Sequence, residues 1–145
     1  MASIHREARI QAPAETAWAA LRDVGAIHRR LAPGFVVDTQ LEDGARIVSF
    51  GNGMVVRELL VDVDEQARRV AWSARSERLT HHNASAQVFP DGPGRCRFVW
   101  IADLLPDEAA PALAAMIDQG MRAIRDTLER AEREAAGAAR ARASG

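Results

Sequence analysis

Six short runs of strand-forming residues between Phe35 and Leu105 limit the possible folds more than any other feature of this chain. The runs lie at about 35–42, 45–51, 54–63, 67–76, 79–89 and 95–105, and turn-forming pairs such as Asp43-Gly44 and Asn52-Gly53 separate them. The connections between the runs are too short for the crossover helices that parallel strands need. The runs therefore predict an antiparallel meander.

Elements before and after the meander predict how its sheet is covered. A further strand is expected over residues 3–10, followed by a helix that begins near Pro13 and a second short helical piece over 26–31. A long helix follows Pro106, and its apolar residues recur at the three-and-four spacing of one helix face. These residues are Leu113, Met116, Ile117, Gly120, Met121, Ile124 and Leu128. The order β-α-α-β6-α predicts an α+β helix-grip fold, in which a curved antiparallel sheet of about seven strands wraps around the C-terminal helix.

Length and charge narrow the classes of function. A chain of 145 residues fits a single domain, which we place at residues 1–134, and the Ala- and Arg-rich tail at 135–145 is expected to fray. The formal net charge of −1 disfavours nucleic acid as a partner. Charged residues stand at the N-terminus where a signal peptide would need an apolar run, and no run is long enough for a membrane span, so a cytoplasmic location is expected.

Residue types that are rare or missing exclude several mechanisms. The sequence holds no Lys and no Tyr, which rules out Schiff-base catalysis by lysine and proton transfer by tyrosine. Cys96 is the only cysteine, so neither an internal disulfide nor a cysteine zinc cluster can form within one chain. Apolar surroundings would raise the pKa of this thiol and leave it inert. His81 and His82 are adjacent on a strand and point to opposite faces, so they cannot chelate one ion and no metal site is expected. No cofactor is expected either.

Because side chains alternate across a strand, one strand with a clear pattern assigns the faces of its neighbours. On the strand at 95–105 the even-numbered residues are apolar, whereas Arg95, Arg97 and Asp103 occupy the other face, and we take the even set as inward. The inward residues predicted on the last three strands are Val70, Trp72, Ala74, Ser76, His82, Ala84, Ala86, Val88, Cys96, Phe98, Trp100, Ala102 and Leu104. On the strand at 54–63 both alternating sets are largely apolar, and the pattern alone does not decide.

Several inward residues are small and face a helix that carries Gly120. Their side chains together are too small to fill the space between sheet and helix at the packing density of a protein core. The sequence therefore predicts an internal ligand cavity. Its expected lining is Trp72, Ala84, Phe98, Trp100, Met116, Ile117, Gly120, Met121 and Ile124. In the alternative interpretation, Trp18, Trp72, Trp100 and the methionines fill the space.

Short motifs occur along the chain in the order found in one known family. They are Ile10 to Trp18, Leu31 to Gly34, Glu42 to Arg46, Val56 to Leu60 with Asp62, Thr80 to Asn83, and Trp100 to Pro106. Over residues 3–130 the sequence resembles the START/Bet v-like superfamily, in its bacterial polyketide cyclase/dehydrase branch, SRPBCC. The resemblance implies a deep hydrophobic tunnel between sheet and terminal helix, in a fold that hosts cyclases, dehydratases, lipid carriers and hormone receptors. It also implies that Glu58 faces the cavity, as the family's matching glutamate tends to do.

With Glu58 facing inward, its carboxylate and the His82 imidazole would point into one apolar chamber from strands that are not adjacent. A desolvated carboxyl group has a raised pKa and can act as a general acid or base, with histidine as its partner. That chemistry suffices for enolisation, aldol cyclisation or dehydration of a carbonyl substrate. In the alternative interpretation, Glu58 pairs with a buried arginine such as Arg46 and only holds the cavity wall, while His82 anchors a polar group.

Two functions are compatible with these residues. The first is a cofactor-independent cyclase or dehydratase acting on a polyketide-like or aromatic molecule. The second is a non-catalytic carrier or sensor of a lipid or hydrophobic small molecule. His28 on the second short helix could contact the ligand at the cavity mouth, or it could be exposed beside Arg29 and Arg30.

The convex face of the predicted sheet is also apolar. If even-numbered residues face inward, this outer set is Val55, Leu59, Val61, Val99 and Ile101. An apolar patch of this size is large for the surface of a monomer and predicts a possible homodimer.

Overall fold

In the computed structural model, which describes residues 1–144, seven strands form one antiparallel sheet. The strands are β1 (Ala2–Ile10), β2 (Val36–Glu42), β3 (Ala45–Phe50), β4 (Val55–Asp64), β5 (Arg69–Ala74), β6 (His81–Pro90) and β7 (Cys96–Leu105). Their order across the sheet is β1-β7-β6-β5-β4-β3-β2. The predicted meander of β2 to β7 and the seven-stranded helix-grip fold are therefore confirmed, and β1 pairs with β7 as an edge strand of the sheet.

Two helical segments connect β1 to β2. Helix α1 (Ala14–Arg22) begins after Pro13, as predicted, and a single π-helical turn (Ile27–Leu31) takes the place of the second short helix. Glu65, in the turn between β4 and β5, fastens α1 to the sheet because it accepts hydrogen bonds from Trp18 Nε1 at 2.7 Å and Arg22 Nε at 2.8 Å. The Trp18 ring is buried and belongs to the hydrophobic core.

The C-terminal helix α2 (Ala110–Ser144) follows β7 after a short 3₁₀ turn. Its buried residues are Ile117, Gly120, Met121, Ile124 and Leu128, all from the predicted apolar stripe. An ion pair between Arg6 Nε and Asp118 Oδ1 at 2.7 Å ties the helix to β1. The sheet therefore curves around α2 with the buried stripe as the centre of the core.

Helix α2 continues past residue 134, where the sequence predicts the end of the domain. Ala and Arg have high helix propensity, which accounts for the helical backbone of this segment. After Leu128 the described part of the chain buries no side chain, so packing does not stabilise residues 135–144. We propose that this segment opens more readily in solution than the packed part of α2; Gly145 lies outside the described residues. Within residues 1–144, neither α2 nor another helix is apolar enough to cross a membrane.

Strand β4 decides the face assignment that its sequence left open. Glu58 is 7% exposed and its neighbour Leu59 is 47% exposed, so the even-numbered residues face α2. A register shift between Leu60 and Asp62 marks a bulge, and Val61 in this bulge is exposed. The even- and odd-numbered residues of β4 are both largely apolar because the exposed outer face of this strand also carries apolar side chains.

The outer apolar patch is smaller than predicted. Val99 is buried, with only 7% of its surface exposed, and Ile101 is half-buried. In the sheet register Val99 lies between Glu7 of β1 and Gln87 of β6, whose longer side chains flank it. The prediction that Val99 is exposed was therefore wrong, because alternation assigns a face and not the cover that neighbouring strands provide.

Candidate functional site

A row of residues across the concave face of the sheet places the charged groups of the candidate site. In the register of the sheet, Arg46 on β3 lies opposite Glu58 on β4, and Glu58 lies opposite Ala74 on β5. His82 on β6 continues this row, since the β5–β6 register would set it opposite Ala74. Adjacent strands are about 4.8 Å apart, so the backbones of Glu58 and His82 are separated by about 10 Å. The small Ala74 side chain leaves the space between them open.

Arg46 and Glu58 form a buried ion pair in this row. Arg46 Nε donates a hydrogen bond of 2.8 Å to Glu58 Oε1, and the two side chains are 5% and 9% exposed. The Arg46 guanidinium also lies 5.2 Å from the centroid of the Trp72 ring, which places the cation over the ring. The pairing that the sequence allowed as an alternative role for Glu58 is thus present.

The protonation equilibria of Glu58 and His82 shift in opposite directions. Burial raises the pKa of the Glu58 carboxyl, and this effect exceeds the opposing one of the Arg46 guanidinium. Burial and, to a lesser extent, the neighbouring His81 lower the pKa of His82, so its imidazole is neutral at neutral pH. The raised pKa brings the Glu58 carboxyl closer to neutral pH, where a general base transfers protons most efficiently, and the neutral His82 imidazole can donate a hydrogen bond.

Three small chambers adjoin one another between the sheet and α2. The turn-side chamber, about 60 Å³, lies against the π-helical turn and is lined by Leu21, Ile27, Leu31, Phe98 and Ile124 among others. The loop-side chamber, about 60 Å³, lies against the β5–β6 loop and includes Met54, Val56, Ser76 and Leu79. The central chamber, about 40 Å³, includes Leu113, Met116 and Ile117. Glu58 and Phe50 line all three chambers, so these two side chains are walls that the chambers share.

The walls of the chambers carry four aromatic rings and the two predicted catalytic side chains, Glu58 and His82. Trp72 and Trp100 meet edge to face with their ring centroids 6.0 Å apart, and Phe35 and Phe50 do so at 5.4 Å. All four rings line the turn-side and central chambers. His82 lines the central and loop-side chambers together with Glu58. The structure thus brings both predicted catalytic residues to the walls of one set of apolar chambers.

The predicted lining is present in part. The chambers are lined by Trp72, Phe98, Trp100, Met116, Ile117 and Ile124, whereas Ala84, Met121, Gly120 and His28 do not line them. A Cβ on Gly120 would lie 2.8 Å from Trp100 Cζ3 and 2.9 Å from Phe35 Cε2. The space next to this glycine is therefore filled by two aromatic rings and is not cavity, which makes the interpretation that tryptophans fill the interior partly correct.

His28 lies on the π-helical turn and is half-buried. Its Nδ1 is buried without a hydrogen-bond partner among residues 1–144. The side chain is absent from the walls of the three chambers, so its predicted ligand contact stays a prediction. At the far end of the sheet, burial raises the pKa of the Cys96 thiol to about 11, as expected for an inert cysteine.

Sequence reasoning missed Phe35 and Phe50, which line more of the chambers than several predicted residues do. Phe50 could have been found, because Arg46, Val48 and Phe50 alternate on β3 and share the inward face. Phe35 lies in the loop after Pro33-Gly34, where no periodicity assigns a face.

Comparison with known proteins identifies the family of this chain. A sequence model of the family described as polyketide cyclase / dehydrase and lipid transport matches residues 1–132. A search of curated proteins finds no match.

Solved structures with the same fold cover nearly the whole domain. A solution structure of a protein from Thermobifida fusca is 29% identical, with a TM-score of 0.71 over 89% of this chain and 91% of that chain. Norcoclaurine synthase from Thalictrum flavum, in complex with dopamine and hydroxybenzaldehyde, is 19% identical, with a TM-score of 0.68 over 92% and 87% of the two chains. The di-domain ARO/CYC protein BexL is 16% identical, with a TM-score of 0.70 over 89% of this chain and 47% of BexL. Because the family model spans nearly the entire sheet and most of α2, the chain belongs to the polyketide cyclase/dehydrase and lipid transport family.

Proposed function

We propose that this protein binds a small hydrophobic molecule in the chambers between the sheet and α2. The observation that carries the proposal is that three chambers adjoin one another, with mainly apolar walls that share Phe50 and Glu58. A cavity of about 150 Å³ accommodates benzene, and each chamber alone is smaller. A ligand must therefore occupy adjoining chambers together, and a shared wall such as the Phe50 ring must move to admit it.

The family supports binding without selecting between transport and catalysis. Its description includes both polyketide cyclases and lipid transport. Norcoclaurine synthase, which has the same fold, holds the aromatic molecules dopamine and hydroxybenzaldehyde. The rings of Trp72, Trp100, Phe35 and Phe50 on the chamber walls are suited to contact aromatic ligands.

Acid–base catalysis is the second candidate function, and the positions of Glu58 and His82 favour it. Both residues line the central and loop-side chambers, and burial raises the pKa of Glu58 and lowers the pKa of His82. In this proposal Glu58 accepts a proton from carbon next to a substrate carbonyl, and neutral His82 donates a hydrogen bond to the carbonyl oxygen. The hydrogen bond from Arg46 occupies Oε1 of Glu58, so Oε2 would be the basic oxygen.

The substitution Glu58→Gln separates catalysis from transport. It keeps the shape of the side chain and removes the base. An enzyme would retain binding of its substrate and lose turnover, whereas a carrier would retain binding and have no turnover to lose. Turnover that survives this substitution would show that the catalytic role of Glu58 is wrong.

Binding itself is tested by native mass spectrometry of the protein as purified and by titration with α-tetralone, a bicyclic aromatic ketone, followed by tryptophan fluorescence. Ala86→Leu, which fills the turn-side chamber, should weaken α-tetralone binding at least tenfold, since the added side chain takes the ligand's space. Ala135→Leu adds the same atoms on an exposed part of α2 and serves as the control. Equal affinities for both variants, or no saturable binding to the unaltered protein, would contradict the proposal.

Two further expectations concern location and assembly. The cytoplasmic location stays a prediction of the sequence, and fractionation of the native host tests it. We also propose a homodimer through the outer face of β4, where Val55, Leu59 and Val61 are 64%, 47% and 64% exposed. Exposed apolar side chains grouped on one face are typical of protein interfaces, and Arg57, which lies among them, is paired with Glu42.

A further inference from the structure

The indole N–H of Trp100 is an unpaired donor inside the protein. Trp100 Nε1 is fully buried and has no hydrogen-bond partner among the described residues. Most buried polar groups in proteins have such a partner, because an unpaired buried donor loses its hydration without compensation. Trp100 lines the turn-side and central chambers, so the residue that carries this unpaired donor is part of the walls of the proposed binding site.

The packing of the Trp100 ring determines the direction of this N–H. Its Cζ3 atom faces α2, since it lies 2.8 Å from the position that a Cβ on Gly120 would take. In an indole ring Cζ3 is para to the carbon that carries Nε1, so the N–H points away from α2. Ala86, opposite Trp100 on β6 and also on the turn-side wall, has no side-chain acceptor.

Neither polar side chain of the turn-side wall, Arg46 or Glu58, lies within hydrogen-bond distance of Trp100 Nε1 as an acceptor. The Glu58 carboxylate accepts its hydrogen bond from Arg46 at 2.8 Å, and Arg46 itself has only donors. No described residue thus supplies an acceptor to Trp100 Nε1.

We propose that Trp100 Nε1 donates a hydrogen bond to the ligand and so selects molecules that carry a carbonyl or ether oxygen over hydrocarbons of the same shape. This inference rests on the proposed binding function. A site with a buried donor discriminates against an analogue that lacks the acceptor, because that analogue leaves the donor unpaired. Trp100 is in this account a specificity-determining residue.

The test compares α-tetralone with tetralin, the hydrocarbon that differs from it by the carbonyl oxygen. The measured quantity is the ratio of the Kd of tetralin to the Kd of α-tetralone, obtained by calorimetry. Trp100→Phe keeps an aromatic ring and removes the donor, and we expect it to lower this ratio by about fivefold or more. Phe98→Leu changes an apolar side chain of the turn-side wall without removing a donor, and should weaken both compounds while the ratio changes by less than about twofold.

The outcomes distinguish this inference from the binding proposal. If neither compound binds the unaltered protein, the proposed function fails. If both compounds bind and Trp100→Phe leaves the ratio unchanged, the binding function stands and the role of Trp100 is wrong.

A second measurement needs no substitution and remains available if Trp100→Phe does not fold. In the unaltered protein, α-tetralone should move the Trp100 indole N–H proton resonance downfield and slow its exchange with water, whereas tetralin should do neither. Identical responses to both compounds would overturn the inference.

Discussion

Arg46 Nε lies 2.8 Å from Glu58 Oε1, and both side chains are almost completely removed from solvent, at 5% and 9% exposure. The pair joins β3 to β4 on the wall that all three chambers share through Glu58. Removing one member of a buried pair leaves the other as an uncompensated charge in a medium of low dielectric constant. Stability and site chemistry therefore depend on the same contact.

Arg46→Met should lower the free energy of unfolding by about 3–5 kcal/mol at neutral pH, because Glu58 would remain buried without its partner. The matched control is Arg57→Met, which breaks the pair between Arg57 and Glu42 on the outer face, where the side chains are 52% and 48% exposed. An exposed pair contributes less than about 1 kcal/mol, so the control should change little. Urea unfolding measures both, and equal losses would contradict the buried role of the pair.

The free energy of unfolding should depend on pH in a way that reflects the raised pKa of Glu58. Since burial raises its pKa above the ordinary 4.5, the folded protein keeps this proton in a pH range where the unfolded chain has lost it. The unfolded state then binds fewer protons, so stability falls as the pH rises from 4.5 through the raised pKa. The protein should therefore lose stability relative to Glu58→Gln over this range, measured by urea unfolding at a series of pH values.

The control for this measurement is Glu65→Gln. Hydrogen bonds from Arg22 and Trp18 lower the pKa of Glu65, so the sign is opposite. The protein should gain stability relative to this variant as the pH rises through the lowered pKa and up to the ordinary value. The same slope for both variants would show that burial does not raise the pKa of Glu58.

Gly120→Ala should destabilise the protein although alanine is the better helix former. The new Cβ would lie 2.8 Å from Trp100 Cζ3 and 2.9 Å from Phe35 Cε2, and overpacking of this kind costs about 1–3 kcal/mol. At Gly137, on the same helix, a Cβ meets nothing closer than Arg140 at 4.0 Å. Gly137→Ala should therefore raise the free energy of unfolding by up to about 1 kcal/mol. If both variants are stabilised alike, the two rings do not pack against Gly120 in solution.

The outer face of β4 should mediate a homodimer at micromolar concentration. Leu59→Arg replaces an exposed apolar side chain with a second positive charge next to Arg57, and it should convert the dimer to a monomer, because a buried unpaired charge opposes association. Ala135→Arg, at an exposed position on α2, should leave the dimer intact. Light scattering gives the mass of each, and a monomeric unaltered protein would refute the homodimer.

Periodic features of the sequence predicted the fold, because they are local. Alternation on β7 and the three-and-four spacing of α2 depend only on backbone geometry, and the structure bears out both. The family resemblance placed Glu58 on the inner face, where it lies. Its pairing with Arg46 could only be offered as one of two interpretations, because the choice depends on side-chain packing between strands.

The shape of the cavity could not be predicted from the same patterns. Gly120 was interpreted as a source of empty volume, and the structure fills that volume with Phe35 and Trp100. Phe35 comes from a loop, and the rotamer of Trp100 is decided by three-dimensional packing, so neither has a sequence signal. The periodicity of the sequence thus predicts which strand and helix faces form the chamber walls. The size and position of the empty volume between them depend on how the side chains pack in three dimensions.

The central claim, that the chambers between sheet and α2 bind a small hydrophobic molecule, is tested most directly by NMR titration with α-tetralone. The account predicts saturable shifts of the Trp72 and Trp100 indole resonances and of the methyl resonances of Met116, Ile117 and Ile124, with those of Val55 and Val61 on the outer face unchanged. Shifts confined to the outer face, or no saturable shift at the chamber residues, would contradict it.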